Sequence, residues 1–340
     1  MNVELVAPNR LGSDSKKWCR YDSDVIPLWV ADMDFAADPR ILDAIRERLD
    51  HGVLGYGRAT EAQRDVLVQA MRRDYDWQIK PEWLVFLPGV EPGFNLALSA
   101  CTSPFGGAMQ ELSVYAPLRA APGNWGLIEN EVWQSAESGR WESDPAEMVA
   151  AARVSSAMLL CNPQNPTGRV YTREELEFRA ELCLRHDMVV ISDEIHCGMV
   201  LDGRKHIPIA SLSSRIASRS VTLMAASKTW NVPGLKTAFA IIPNTAIRAR
   251  VQGAKRGMVD SANVLGLAGM TAAYEHCSEW REVVCGRLAE NRDFLSAKLA
   301  KRLPGARMLP PEAGFLAWID FTALDLRRPA AEFFLDQAKV

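Results

Sequence analysis

The stretch "MVVISDEIH", residues 188–196, sets four apolar side chains directly against two acids and a histidine. An unbroken apolar run of this length suits a strand buried on both faces, since a strand with one wet face would alternate. Strand ends often turn polar where they meet solvent, so the neighbouring segments decide what the acids are for. Apolar runs of the same kind recur at 157–161, 221–225 and 237–242, with a further short strand expected at 83–87. Helical patterns lie between them: 39–49 opens on a proline, 60–75 is amphipathic, and 172–185 opens on a capping box of Thr172 and Glu175. Short strands alternating with helices predict an α/β fold with a mainly parallel sheet covered on both faces. Ligands in such sheets sit beyond the carboxyl ends of the strands, which makes the polar end of this run the rim of a crevice.

The rest of the chain frames that core. Residues 83–87 run into "PGVEPGFNLALSA", a glycine-rich turn that delivers the chain into a helix with unpaired first amides. Helical stretches are expected at 262–288 and 291–302, and a strand at 314–319 stands outside the main alternation. The chain ends at Val340 within an amphipathic stretch, with no closing strand. A length of 340 residues exceeds what one core usually serves, so a large domain with a smaller one attached is expected.

Composition excludes several classes. Hydrophobic residues make up 48% and charged residues 24%, a globular balance, and a net charge of -3 leaves no electrostatic footprint for nucleic acid. No window of 18 apolar residues and no apolar leader is present, so a soluble, cytoplasmic protein without a membrane partner is expected. Seven scattered cysteines without a CxxC pair, and five scattered histidines, point to neither a disulfide framework nor a metal site.

Three consecutive loops past the strands carry reactive types. "NPQNPTG" at 162–168 presents Asn165 between prolines; Asp193 and His196 follow the next strand; Lys228 lies two residues beyond 221–225, with Lys236 eight further on. An amide, a carboxylate and an amine thus meet one crevice. Ser227, Thr229, Trp230 and Asn231 around Lys228 predict a half-buried ammonium with a depressed pKa, as a lysine that condenses with an aldehyde requires.

With these motifs the chain resembles a pyridoxal-phosphate enzyme of the aspartate aminotransferase fold type, within the class I and II aminotransferase superfamily. It is similar in particular to the cystathionine β-lyase (carbon–sulfur lyase) branch. The resemblance rests on "SDSKKW" at 13–18, "PLWVADMDF" at 27–35, "HGVLGYG" at 51–57, "NPQNPTGRVY" at 162–171, "SDEIH" at 192–196, "SKTWNVPGLK" at 227–236 and "GFLAWIDF" at 314–321. It implies a mainly parallel seven-stranded sheet and a smaller α+β domain made from the two chain ends. The implied division is 1–50 for the N-terminal part of the small domain, 51–260 for the cofactor domain, 261–290 for the interdomain helices and 291–340 for the rest of the small domain. Family members continue for several dozen residues and supply an arginine for the substrate carboxylate, so the small domain is expected to be incomplete and its C-terminal part missing.

The resemblance also implies roles. Lys228 would bond to the aldehyde of pyridoxal 5'-phosphate and then serve as base at the substrate Cα. Asp193 would pair with the pyridine nitrogen and all three residues of "SDEIH" that can ionise would face the cofactor. Asn165 and His196 would lie at the phenolic oxygen, and Tyr115 would stack on the ring. Val90 and Glu91 at the helix start, Ser227 and Lys236 would hold the phosphate, and Tyr56 would cross to a partner's phosphate in a homodimer. Two departures are visible: Glu91 is an anion beside an expected phosphate, and residues 103–118 lack a clean strand before Tyr115. The expected activity is β-elimination from cystathionine or a related cysteine S-conjugate. Transamination, or a weakly active or non-catalytic cofactor- or partner-binding chain, are the competing expectations.

Overall fold

Short apolar runs become strands here because each is buried from both sides. The computed structural model describes residues 3–340. Its main sheet contains β1 (Leu84–Leu87), β2 (Gly107–Leu112), β3 (Ile128–Ser135), β4 (Glu142–Ser143), β5 (Ala157–Cys161), β6 (Val189–Asp193), β7 (Ser220–Met224) and β8 (Ala238–Ile241). The spatial order is β1-β8-β7-β6-β5-β2-β3-β4. β3, β2, β5, β6 and β7 pair in parallel, whereas β8 runs antiparallel to both β1 and β7. The expected seven strands are therefore present, and the two-residue β4 adds an antiparallel edge on β3.

Alternation along the strands sorts side chains between two cores. From β5, Ala157, Leu159 and Cys161 face one apolar cluster with Phe94 and Leu118, while Met158 and Leu160 face another with Leu176 and Met148. The first face is covered by α3 (Val90–Cys101), α4 (Ala116–Asn124) and α9 (Thr245–Ala254). The second is covered by α5 (Pro145–Ala152), α6 (Arg173–Arg185) and α7 (Ser214–Ala217). A third cluster, around Trp230 and Trp280, joins α1 (Pro39–Asp50), α2 (Glu61–Tyr75), α10 (Val264–His276) and α11 (Ser278–Arg302). α8 (Ala226–Thr229) is a single turn after β7; β9 (Arg307–Met308), β10 (Ile319–Asp320) and α12 (Ala330–Ala338) follow α11. Both reciprocal bonds of the Thr172–Glu175 capping box form at the start of α6.

Several sequence expectations are corrected. A regular strand, β2, does precede Tyr115, and all six of its residues are buried. Polar residues disguise it: Gln110 donates to the Arg119 carbonyl at 3.0 Å, and Glu111 takes a two-point bond from the Arg179 guanidinium at 2.7 and 2.6 Å. A buried ion pair such as Glu111–Arg179 can stand in a core strand, although the Gln110 Oε1 has no partner. The helical break falls at Cys277, and α11 runs unbroken through residue 290. The strand expected over 314–319 shrinks to β10, because residues 313–314 bind the loop after β6 instead, through the Val200–Ala313 bridge and the Gly314 amide on the Met199 carbonyl. The final amphipathic stretch forms α12 and ends in a left-handed cap at Lys339, whose amide returns to the Phe334 carbonyl.

Candidate active site

The reversed direction of β8 brings the site together. β1 and β7 end where β8 begins, with Leu87 opposite Ala238 and Met224 opposite Phe239. The loop after β7, which carries Lys228, and the turn before β8, which carries Lys236, therefore reach the same edge as the ends of β5 and β6. A cavity of about 400 Å³ opens there. Its walls include Val90, Glu91, Tyr115, Asn165, Asp193, His196, Ser227, Lys228 and Lys236. Tyr56 does not join them; it is fully exposed in the extended segment before α2.

Asp193 ends β6 with its side chain 4% exposed. Its carboxylate accepts from the Ile195 amide at 3.1 Å, and burial pushes its pKa up to about 7 against that bond and the attraction of Lys228; neighbouring Glu194 adds to the rise. His196 is also buried, and neither ring nitrogen has a hydrogen-bond partner. Burial, with the positive charge of Lys228, lowers its pKa to about 3, so the ring is neutral at pH 7. The Phe315 ring meets it edge-on at 6.1 Å. A neutral imidazole with two unpaired nitrogens and a carboxylate without a cation are both buried polar groups awaiting a polar ligand.

Glu194 corrects the expectation that both acids of "SDEIH" face the cavity. Adjacent residues of an extended chain point to opposite sides, and Glu194 turns away, fully buried. It accepts from Ser192 Oγ at 2.8 Å and the Ile209 amide at 3.3 Å, and it pairs with His206 Nε2 at 2.6 Å.

Lys228 is partly buried, and its ammonium donates to the Ala31 carbonyl at 2.7 Å. Burial lowers its pKa, helped by Lys236 and opposed by Asp32 and Asp193. Trp230, expected beside this ammonium, instead points into the core. Its indole donates to the Cys277 carbonyl at 2.9 Å and packs on Tyr274, anchoring the loop from behind. At the opposite wall no side chain caps α3, so its first amides are left without partners inside the helix. Glu91, the anion expected to disturb that corner, has an exposed side chain that takes a 3.4 Å bond from the Tyr115 hydroxyl. Burial and this carboxylate push the phenol up to about 12.

These residues fit pyridoxal phosphate: an unpaired carboxylate for a pyridinium, a neutral imidazole and an amide for a phenolic oxygen, uncapped amides for a phosphate, and an amine for an aldehyde. Sequence reasoning missed the Ala31 carbonyl as acceptor for Lys228 and the bonds of Asn231 to the 33–35 backbone. "PLWVADMDF" and "SKTWNVPGLK" marked both regions as similar to a family, but nothing local told that one segment touches the other.

Known proteins resemble this chain over most of its length. Residues 23–337 match the family described as aminotransferase class I and II. Cystathionine β-lyase PatB of Bacillus subtilis is 34% identical over 325 residues, spanning 93% of this chain and 84% of PatB. The crystal structure of OvoB superposes with a TM-score of 0.93 at 41% identity, covering 97% of this chain and 88% of that one. Cystalysin of Treponema denticola, whose crystal structure contains pyridoxal 5'-phosphate, gives 0.95 at 26% identity, covering 100% and 89%. The chain belongs to the class I and II aminotransferase family, in the branch that holds the cystathionine β-lyases.

Proposed function

We propose that the protein is a pyridoxal-phosphate-dependent carbon–sulfur lyase that cleaves cystathionine or a related cysteine S-conjugate to a thiol, pyruvate and ammonia. The observation that carries this reading is the shared cavity of Lys228 and Asp193, an amine with lowered pKa and a buried carboxylate lacking a cation. The names of PatB and its relatives favour elimination over transamination.

When bound, the cofactor supplies an electron sink for the charge left at the substrate Cα. Asp193 would hold a proton at the pyridine nitrogen, and the cation there would give the buried carboxylate the partner it lacks and draw its pKa back down. Asn165 and the neutral His196 would orient the phenolic edge, with Tyr115 against the ring. The amides of Val90 and Glu91, with Ser227 and Lys236, would hold the phosphate. Lys228 Nζ would take the Cα proton as general base. With the thiolate leaving from Cβ, one water would be consumed in releasing pyruvate and ammonia.

Tyr56 has no place in its own subunit's cavity, and Val53 and Leu54 beside it are exposed. This favours a two-fold dimer in which Tyr56 reaches the partner's phosphate. The test of the function is direct: protein loaded with the cofactor should release pyruvate from cystathionine. Pyridoxamine phosphate accumulating without pyruvate would replace elimination with transamination.

A further inference from the structure

The segment 30–35 reaches the cavity wall at Ala31 from the far end of the sequence. One side chain ties it to the lysine loop. Asn231 Nδ2 donates to the Met33 carbonyl at 2.9 Å and the Phe35 carbonyl at 2.7 Å, and its Oδ1 accepts from the Met33 amide at 3.2 Å. Asn231 stands in the left-handed region at φ 54, three residues after Lys228 on the same turn. Asparagine tolerates that backbone better than most residues.

The outer side of the segment is pinned independently. Arg10 pairs with Asp32 at 2.8 Å and Asp34 at 2.9 Å; Lys17 reaches Asp34 at 2.6 Å and the Asp32 carbonyl at 2.9 Å; the Trp18 indole donates to Asp34 at 2.8 Å. Clamped from both sides, the backbone at Ala31 has little freedom, and its carbonyl is the acceptor for Lys228. We propose that Asn231 is a positioning residue that ties the 31–35 strap to the lysine loop, so that the Ala31 carbonyl fixes the Lys228 amine over the cavity.

The physical gain is conformational. A free lysine side chain samples many rotamers, and holding it in one costs conformational entropy. A carbonyl fixed by the surrounding fold meets that cost before any ligand arrives, and the amine keeps one geometry relative to the reacting atoms. Because strap and lysine hang on the same turn, a shift of one carries the other.

This inference rests on Lys228 being the reacting amine, but its test needs neither turnover nor cofactor. In cofactor-free protein, trace labelling by acetic anhydride would be read at Lys228 relative to Lys255, whose amine bonds the Phe86 carbonyl at 3.2 Å. Amide hydrogen exchange would be followed at Met33 and across β5 to β7. Asn231→Gly keeps the backbone and removes all three bonds; Asn231→Asp keeps the acceptor and sets a carboxylate against two carbonyls. Both should raise the Lys228-to-Lys255 ratio roughly tenfold or more, the loss expected for two or three hydrogen bonds, and speed Met33 exchange while β5 to β7 stay protected. An unchanged ratio in either variant overturns the proposal. So does a rise accompanied by equal acceleration in β5 to β7, which marks general loosening. Pyruvate release is scored separately, so failure of the lyase reading leaves this ratio meaningful.

Discussion

Two walls of one cavity are built by opposite means. The inner wall, Asn165, Asp193, His196 and Lys228, hangs on the ends of adjacent strands, where a parallel sheet sets each residue by its neighbours' register. The outer wall is Ala31, on the segment 31–35 that has no regular structure and is held by side-chain bonds to a turn 196 to 198 residues away. The inner wall is costly to disturb because the sheet over-determines it. The outer wall depends on a few groups, and segments of that kind are the ones a fold can open locally.

The largest effect should come from the inner wall. Lys228→Ala removes both the covalent attachment and the base, so pyruvate release should fall by roughly 10⁴-fold or more, with loss of the bound cofactor's visible absorbance. Retained activity would move the chemistry to another amine and dissolve the contrast between the walls.

Asp193→Asn comes next. Removing the charge that holds the pyridine proton should lower turnover by roughly 10²- to 10³-fold with little change in fold. The same residue sets a pH dependence. In the cofactor-free fold the carboxyl sits at about 7 against an ordinary 3.8. The folded state therefore binds the proton more tightly than the unfolded chain. Its stabilising contribution is full below 3.8 and is lost as pH rises towards 7. Thermal unfolding should show cofactor-free protein weakening across that window, and cofactor loading or Asp193→Asn should flatten the trend. Identical slopes in all three forms would mean that Asp193 has its cation already.

The smallest effect should fall on the outer wall. Arg10 and Asp32 form a partly buried two-point pair, and Asp32→Asn keeps one acceptor oxygen while Arg10 keeps Asp34, so the cost in denaturant unfolding should be about 1 to 2 kcal/mol. A loss of about 4 kcal/mol or more, the scale of breaking a buried ion pair, would show that the strap belongs to the sheet's cooperative unit.

The same division explains what could be read from the sequence. Apolar runs at 157–161 and 188–191, the capping box at Thr172 and the loop positions of Asn165, Asp193 and Lys228 are local signals, and the fold keeps them. Polar residues in β2 hid a strand because their partners, Arg119 and Arg179, lie on separate helices. Glu194 was misread for a similar reason: composition cannot tell which side of a strand end a carboxylate takes, though alternation from Asp193 would have separated them. Trp230 was placed beside the ammonium by adjacency in sequence, but its indole follows the carbonyl of Cys277 in a distant turn. The Asn231 clamp had no readable trace, since its partners stand nearly two hundred residues upstream.

The central claim is that one amine, Lys228, captures the cofactor aldehyde in the cavity it shares with Asp193. Borohydride reduction of cofactor-loaded protein, followed by peptide mass spectrometry, tests it most directly. The account predicts a pyridoxyl group on Lys228. A pyridoxyl group on Lys236 or Lys255 instead, or none on any lysine, would contradict it.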